Sequence, residues 1–323
     1  MSALRPYAAI LAVLAVLAVL PVVFTSGTMQ NFLIFTLIVA LAGQGWNLLG
    51  GYGGQFSFGH ASFFGTGAYA IAILQERLGL NPWLALPIAI ALGALVGAVI
   101  GTLAFRARLR GSYFALVTLA FAEVFRIVAN VLPVTGGAAG ILIRLNVDPL
   151  NFQFADRAAF HWLTLLFLGA VMLLVRALER GRFGARLVAV RENEDAARAL
   201  GVDVLRVKIA AITLSGAITA AAGCLYAQKF LYLDAMIAYG PWISVEALLA
   251  PIIGGLGTVF GPVLGAFVLH GIGELTKTWI ATLTGGALPG VDLVLFGVLL
   301  IITVGFAPRG ILGLLPRLRV RAA

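Results

Sequence analysis

The chain has 323 residues, 61% hydrophobic and only 11% charged, with a mean hydropathy of +1.05. A soluble domain carries about 25% charged residues, so this composition excludes a water-clothed globule and predicts a polytopic membrane protein. The net charge of +9 and pI near 10.3 do not indicate nucleic acid, because the arginines bracket apolar stretches as the positive-inside rule expects.

A spanning helix needs about 20 apolar residues. The first candidate is 6–24, whose repeated AVL puts apolar side chains on every face and predicts a lipid-exposed, structural helix. Its apolar run exceeds the usual signal h-region and no clear A-x-A site follows, so it is expected to remain as the first span. A second span is predicted over 29–49 and a third over 56–74. The third overlaps GGYGGQFSFGHASFFGTG, residues 50–67. Its glycines are too dense for an ordinary lipid-facing helix. Its polar groups Gln55, Ser57, His60, Ser62 and Thr66 would each cost several kcal/mol unpaired in lipid. They are expected to face protein or a watery translocation path.

Spans follow at 82–104 and 112–132. Within the latter, Glu123 and Arg126 are three apart and can meet on one helix face. An intramembrane ionisable pair is a functional candidate, and a structural pair facing a neighbouring helix is the alternative. Residues 133–159 form the longest polar loop on their side, a candidate periplasmic docking surface. A span at 160–178 leads to the most charged stretch of the chain, GRFGARLVAVRENEDAARALGV at 181–202. There Asn193 is a good N-cap, with Glu194 and Asp195 in the first turn. Glu194 can pair with Arg198, and Arg191 with Asp195. Gly201 supplies a stop, and Asp203 can cap the next helix. A helix over 194–200 is predicted, with Ala196, Ala197 and Leu200 as a small apolar face. It suits a solvated connector, a lipid-surface helix or a helix that docks in a groove of a soluble partner.

Further spans are predicted at 204–227 and 288–306. Between them, 241–274 contains Gly254, Gly255, Gly257, Gly261 and Pro262, which break any helix. Residues 242–253 reach only about 18 Å, short of a core about 30 Å thick. Two half-helices meeting at a glycine turn are predicted, crossing twice or entering and returning on one side, as a candidate wall of the path. No role is assigned to His161 or His270.

Sixteen Lys and Arg residues fall on one side of this layout and five on the other, with Arg126 inside a span. That bias assigns the first side, with both termini and 181–203, to the cytoplasm. The predicted fold class is therefore all-α, with about 8 full spans plus a pair of glycine-linked half-helices, 8–10 transmembrane segments in one domain.

The chain has no G-x-x-x-x-G-K-[ST] phosphate loop, no H-E-x-x-H, no paired C-x-x-C and no G-x-S-x-G. The single cysteine, Cys224, lies in an apolar span, which excludes an intrachain disulfide and argues against a thiolate metal cluster. No catalytic or metal site is expected, and no bound cofactor.

Four stretches in order resemble LivM-type permeases of branched-chain amino acid ABC transporters. They are GYGGQFSFGHASFFGTGAY at 51–69, RGSYFALVTLAFAEVFR at 110–126 with the TGG after it, the stretch at 181–202, and GGLGTVFGPVLGA at 254–266. The resemblance implies a permease subunit of a bacterial importer in the inner membrane. It implies a second LivH-type permease, two cytoplasmic ATPases that carry ATP and Mg, and a periplasmic substrate-binding protein. It also implies that 181–203 is a cytoplasmic coupling segment, with Glu192, Asn193, Glu194, Ala197 and Gly201 at the ATPase contact. Related permeases move urea or short amides, so the cargo stays open. A self-contained secondary carrier or channel using Glu123 and Arg126 is the competing class, and a scaffolding subunit a third.

Overall fold

The computed structural model describes residues 5–284, together with 290, 294, 297–298, 301 and 310–314. Helix α1 (Arg5–Val23) lies at the periphery against α6, turning in Ile10 and Leu17 and leaving Val16, Val19 and Val22 exposed. Helix α2 (Gly27–Trp46) starts where Ser26 Oγ accepts from Met29 N at 3.2 Å. It widens into a π-helical turn, Asn47–Tyr52, and is buried from residue 36 to the end of that turn. Single π turns recur at functional sites.

Residues 53–59 are non-helical, and α3 (His60–Glu76) begins only after them. The third span thus starts four residues later than the apolar run predicts. The glycines release the backbone, and neighbouring groups hold it outside the helix: Phe58 N donates to Thr118 Oγ1 at 3.2 Å, and Trp46 Nε1 donates to Ser57 O at 2.8 Å. Helix α4 (Pro82–Arg106) follows an Asn81 cap with proline in its first turn, and α5 (Gly111–Val131) returns. Short 3₁₀ turns and strand β1 (Ile141–Leu142) form the next loop. β1 pairs antiparallel with β2 (Tyr232–Leu233), aligning Ile141 with Leu233.

Helix α6 (Arg157–Arg180) is capped by Asp156 and is followed by α7 (Arg182–Glu192) and α8 (Glu194–Ala199). Helix α9 (Val204–Phe230) is the centre of the bundle, packed on α2, α3 and α4. Small residues set these contacts. A Cβ at Gly67 would collide with Ala220 O, one at Gly223 with Phe64 O, and one at Gly93 with the Ala220 side chain. Backbones in direct contact replace a layer of large side chains.

After α10 (Ala235–Tyr239) come α11 (Pro241–Gly254), α12 (Gly261–Thr284) and α13 (Gly310–Leu314). The segment 241–274 differs from two half-helices. α11 has 14 residues and α10 extends its reach, so that 235–254 is long enough to cross, while α12 has 24 residues. The turn between them, with Gly255 at φ 144° and Gly257 at φ 66°, lies beside Gly51 and Arg191, at the end of the bundle that carries α7 and α8. The segment is therefore two helices joined at a glycine turn, of which 235–254 has the length and hydropathy of a span. Tyr7, under the Arg180 guanidinium, and Gly310, against Gly255, lie at that same end.

Among the described residues, six helical stretches are long and apolar enough to cross a membrane: Gly27–Tyr52, Pro82–Arg106, Gly111–Val131, Arg157–Arg180, Val204–Phe230 and Ala235–Gly254. The span predicted over 288–306 falls largely outside the described residues.

Candidate functional site

The α7–α8 segment is built by local chemistry. Helix α6 ends at Gly181, and Gly184, which has no room for a Cβ beside Leu178 O, lets α7 fold back at once. Leu187 and Val190 then turn into the bundle. Asn193 leaves the helical region at φ −160°, ending α7 and starting α8. Its Oδ1 accepts from Asp195 N at 3.0 Å and Ala196 N at 2.9 Å. Gly201 at φ 83° reverses the chain, and Asp203 Oδ1 caps α9 by accepting from Arg206 N at 3.1 Å.

The ion pairs differ from those expected within the helix. Arg198 bonds Asp195 at 2.7 Å and Arg191 bonds Glu192 at 2.7 Å. Glu194 turns inward to Lys208 of α9 and to Arg110 ahead of α5, the latter at 3.1 Å. Lys208 is a buried ammonium that needs a carboxylate partner, and a pattern confined to one helix cannot reveal it. The predicted small apolar face also divides. Ala197 is buried against the bundle, whereas Leu200 is 84% exposed and Ala196 faces outward with it. Of the five residues expected at a partner contact, Glu192, Asn193 and Gly201 are exposed, while Glu194 and Ala197 face the bundle.

The same segment is tied to the two glycine-rich turns. Arg191 Nη1 donates to Gly51 O at 3.0 Å. Asn47 Oδ1 accepts from Gly257 N at 2.9 Å, its Nδ2 donates to Thr258 O at 2.9 Å, and Gln44 Nε2 donates to Val259 O at 2.7 Å. The π turn of α2 and the α11–α12 turn are thereby joined by side-chain amides, with α7 fastened on top.

Of the predicted path residues, Gln55, Ser57, His60 and Ser62 are buried within the chain, and Thr66 is half-buried. Ser215 Oγ donates to Gly45 O at 2.7 Å and therefore accepts from His60 Nε2 at 2.8 Å. Ser57 Oγ accepts from Gly59 N at 3.2 Å, and Thr66 Oγ1 donates to Ser62 O at 2.6 Å. Glu123 is different. It pairs with Arg126 Nε at 2.9 Å on the outward face of α5, half-exposed, in line with Leu116, Leu119 and Ile127. Phe56 and Phe58 of the non-helical segment are also exposed, and that segment lies against α5 at Thr118. A second polar cluster escaped sequence reasoning. His270 of α12 meets Thr36 Oγ1 of α2 at 3.0 Å and Glu246 of α11 at 3.5 Å, stacked on Phe35. Only pairing of three distant stretches reveals it. Among the described residues, no group of three or more His, Cys, Asp or Glu side chains converges as a metal site.

Comparison with known proteins fits this arrangement. Residues 28–304 match a family described as the permease component of the branched-chain amino acid transport system. The chain belongs to that family. It is 30% identical to the high-affinity branched-chain amino acid transport system permease protein LivM of Escherichia coli, over 93% of this chain and 74% of that one. It is 28% identical to the Salmonella typhimurium LivM protein, over 99% of this chain and 78% of the relative. A probable LivH permease of Methanocaldococcus jannaschii is 28% identical over 88% of this chain and 91% of its own length. The chain is thus a multi-pass membrane permease component.

Proposed function

We propose that this chain is the LivM-type permease subunit of an ATP-binding-cassette importer in a bacterial inner membrane, paired with a LivH-type permease. In this reading α7–α8 is cytoplasmic and docks in partner ATPases, which hydrolyse ATP and drive alternating access, while a periplasmic binding protein delivers substrate to the face formed by 133–159. The observation that carries the reading is the exposed Leu200 on a helix outside the spans whose inner face is fastened to the bundle. An isolated apolar knob on a rigid support suits helix-in-groove docking. The cargo proposed is a branched-chain amino acid, with urea or a short amide as the competing solute.

The translocation path is proposed along the outward face of α5, where Glu123, Arg126, Phe56 and Phe58 leave polar and non-helical groups on the surface of a membrane-embedded subunit. Irregular backbone at membrane depth needs protein or a watery cavity beside it, which a second permease supplies. Gln55, Ser57, His60, Ser62 and Thr66 then act behind the path.

Reconstitution tests the class. Uptake into vesicles should require the partner permease, the ATPases and ATP; gradient-driven uptake by the lone chain would establish a secondary carrier instead. Leu200→Asp should weaken ATPase association by about 2 kcal/mol, roughly 30-fold, measured by titrating ATPase onto detergent-solubilised permease. Unaltered affinity would remove Leu200 from the contact.

A further inference from the structure

Glu194 lies in the stretch proposed to face the ATPases, yet its side chain is only 14% exposed and does not point outward. One carboxylate oxygen bonds Lys208 Nζ on α9, a side chain 5% exposed, and the other bonds Arg110 Nη2, immediately ahead of α5, at 3.1 Å. Lys208 Nζ sits 5.1 Å from the centre of the Phe105 ring at the end of α4. A single carboxylate on a six-residue helix therefore joins the start of α9 to the residue ahead of α5, and Lys208 in turn rests on Phe105 of α4. The outer oxygens and cations of this cluster are peripheral: Asp195 bonds Arg198 at 2.7 Å and lies 3.8 Å from Arg110.

A contact that must transmit displacement has to be stiff, and a charge-assisted pair out of water is stiffer than the exposed pairs around it. The Arg198–Asp195, Arg191–Glu192 and Arg206–Asp203 pairs are largely solvated and are worth little. The Glu194–Lys208 pair is the one of these within α7–α9 that is largely withdrawn from solvent, with Lys208 buried and Glu194 mostly covered. Truncating one partner of such a pair strands a buried charge, whereas neutralising both does not.

We propose that Glu194 is a positioning residue that passes the movement of α8 to α5 and α9 through Arg110 and Lys208, rather than a residue that binds the ATPase. The proposal rests on the coupling reading of α7–α8. It separates docking, carried by the outward Leu200, from transmission, carried by the inward Glu194.

The test uses the full transporter in vesicles, with import and ATP hydrolysis measured on the same preparation, and a thermal melt of each variant. Glu194→Gln combined with Lys208→Met removes the pair without leaving a stranded charge. This double variant is expected to assemble with the ATPases and to hydrolyse ATP, while import per ATP falls about tenfold. Lys208→Arg, which keeps the pair, should retain most of the coupling. A purely structural role would lower the melting temperature and leave import per ATP unchanged, which overturns the proposal. Loss of ATPase binding with a parental melt also overturns it, by making Glu194 a docking residue. Should the double variant fail to fold, Arg110→Gln, at a half-exposed side chain, decides: a lower import per ATP supports transmission, and an unchanged ratio refutes it. Uptake by the unmodified chain that needs no ATPase would sink the coupling reading itself, whatever the variants do.

Discussion

His60 illustrates how a polar residue in an apolar chain earns its place by geometry. Its Nε2 donates to Ser215, which donates onward to Gly45 O, so one imidazole joins α3, α9 and α2. His60→Ala opens a buried void and leaves the Ser215 hydroxyl without its donor. Destabilisation of about 2–4 kcal/mol is expected, read as an earlier thermal melt in detergent, with import falling only as far as the folded fraction does. Lost import at a parental melting temperature would return His60 to the path. The need for a partner was legible in the sequence, because a histidine among glycines and phenylalanines must bond something. The partner was not, since Ser215 lies 155 positions away. Glu194 makes the same point. Its place in a capped first turn could be read locally, but its choice of Lys208 over Arg198 depends on the burial of an ammonium on another helix.

At the scale of elements, apolar runs located most helices well, and their failures have specific causes. α3 starts late because glycines and a ladder of side-chain bonds hold 53–59 open. α11 alone is too short to cross, and the five residues of α10 ahead of it bring 235–254 to spanning length. Helix α9 could be placed from its hydropathy, but its central position could not. That position comes from Gly67, Gly93, Gly216 and Gly223 meeting backbone across the interfaces. Gly223→Val would drive α3 away from α9 by collision with Phe64 O. The expected cost is at least about 3 kcal/mol, seen as loss of the monodisperse peak in size-exclusion chromatography of the membrane extract. Gly79→Ala has nothing within 4 Å of the added carbon, and only its φ of 65° is unfavourable. It should cost about 1 kcal/mol and leave that peak intact.

For the whole molecule, the charge bias predicts one side gathering the termini and the polar α7–α8 segment; of these, the described residues place Tyr7 under Arg180 and Gly310 against Gly255, and the terminal residues 1–4 and 315–323 lie outside them. What the sequence could not reveal is which helix faces remain open once the chain has packed on itself. Among the described residues, the open stripe on α5 carries the Glu123–Arg126 ion pair. It yields a prediction about assembly. Cys224, the chain's only cysteine, is buried, so an introduced thiol can be followed alone. Ile127→Cys should react with a membrane-soluble maleimide when the chain is expressed by itself and be protected when the LivH-type permease is co-expressed. Val16→Cys on α1 should react in both cases. Equal labelling of Ile127→Cys in both would place the second permease elsewhere.

The close backbone contacts of α9 bear on mechanics as well as stability. Without a cushion of long side chains, α9 has little room to slide or flex against α3 and α4, and the three behave as a single stiff beam. Helix α9 has 27 residues and is about 40 Å long. A tilt of about 5° applied at Lys208, about 33 Å from the far end, therefore moves that end by about 3 Å. In the proposed transport cycle, leverage rather than internal rearrangement would turn a push at one surface of such a bundle into an opening at the other.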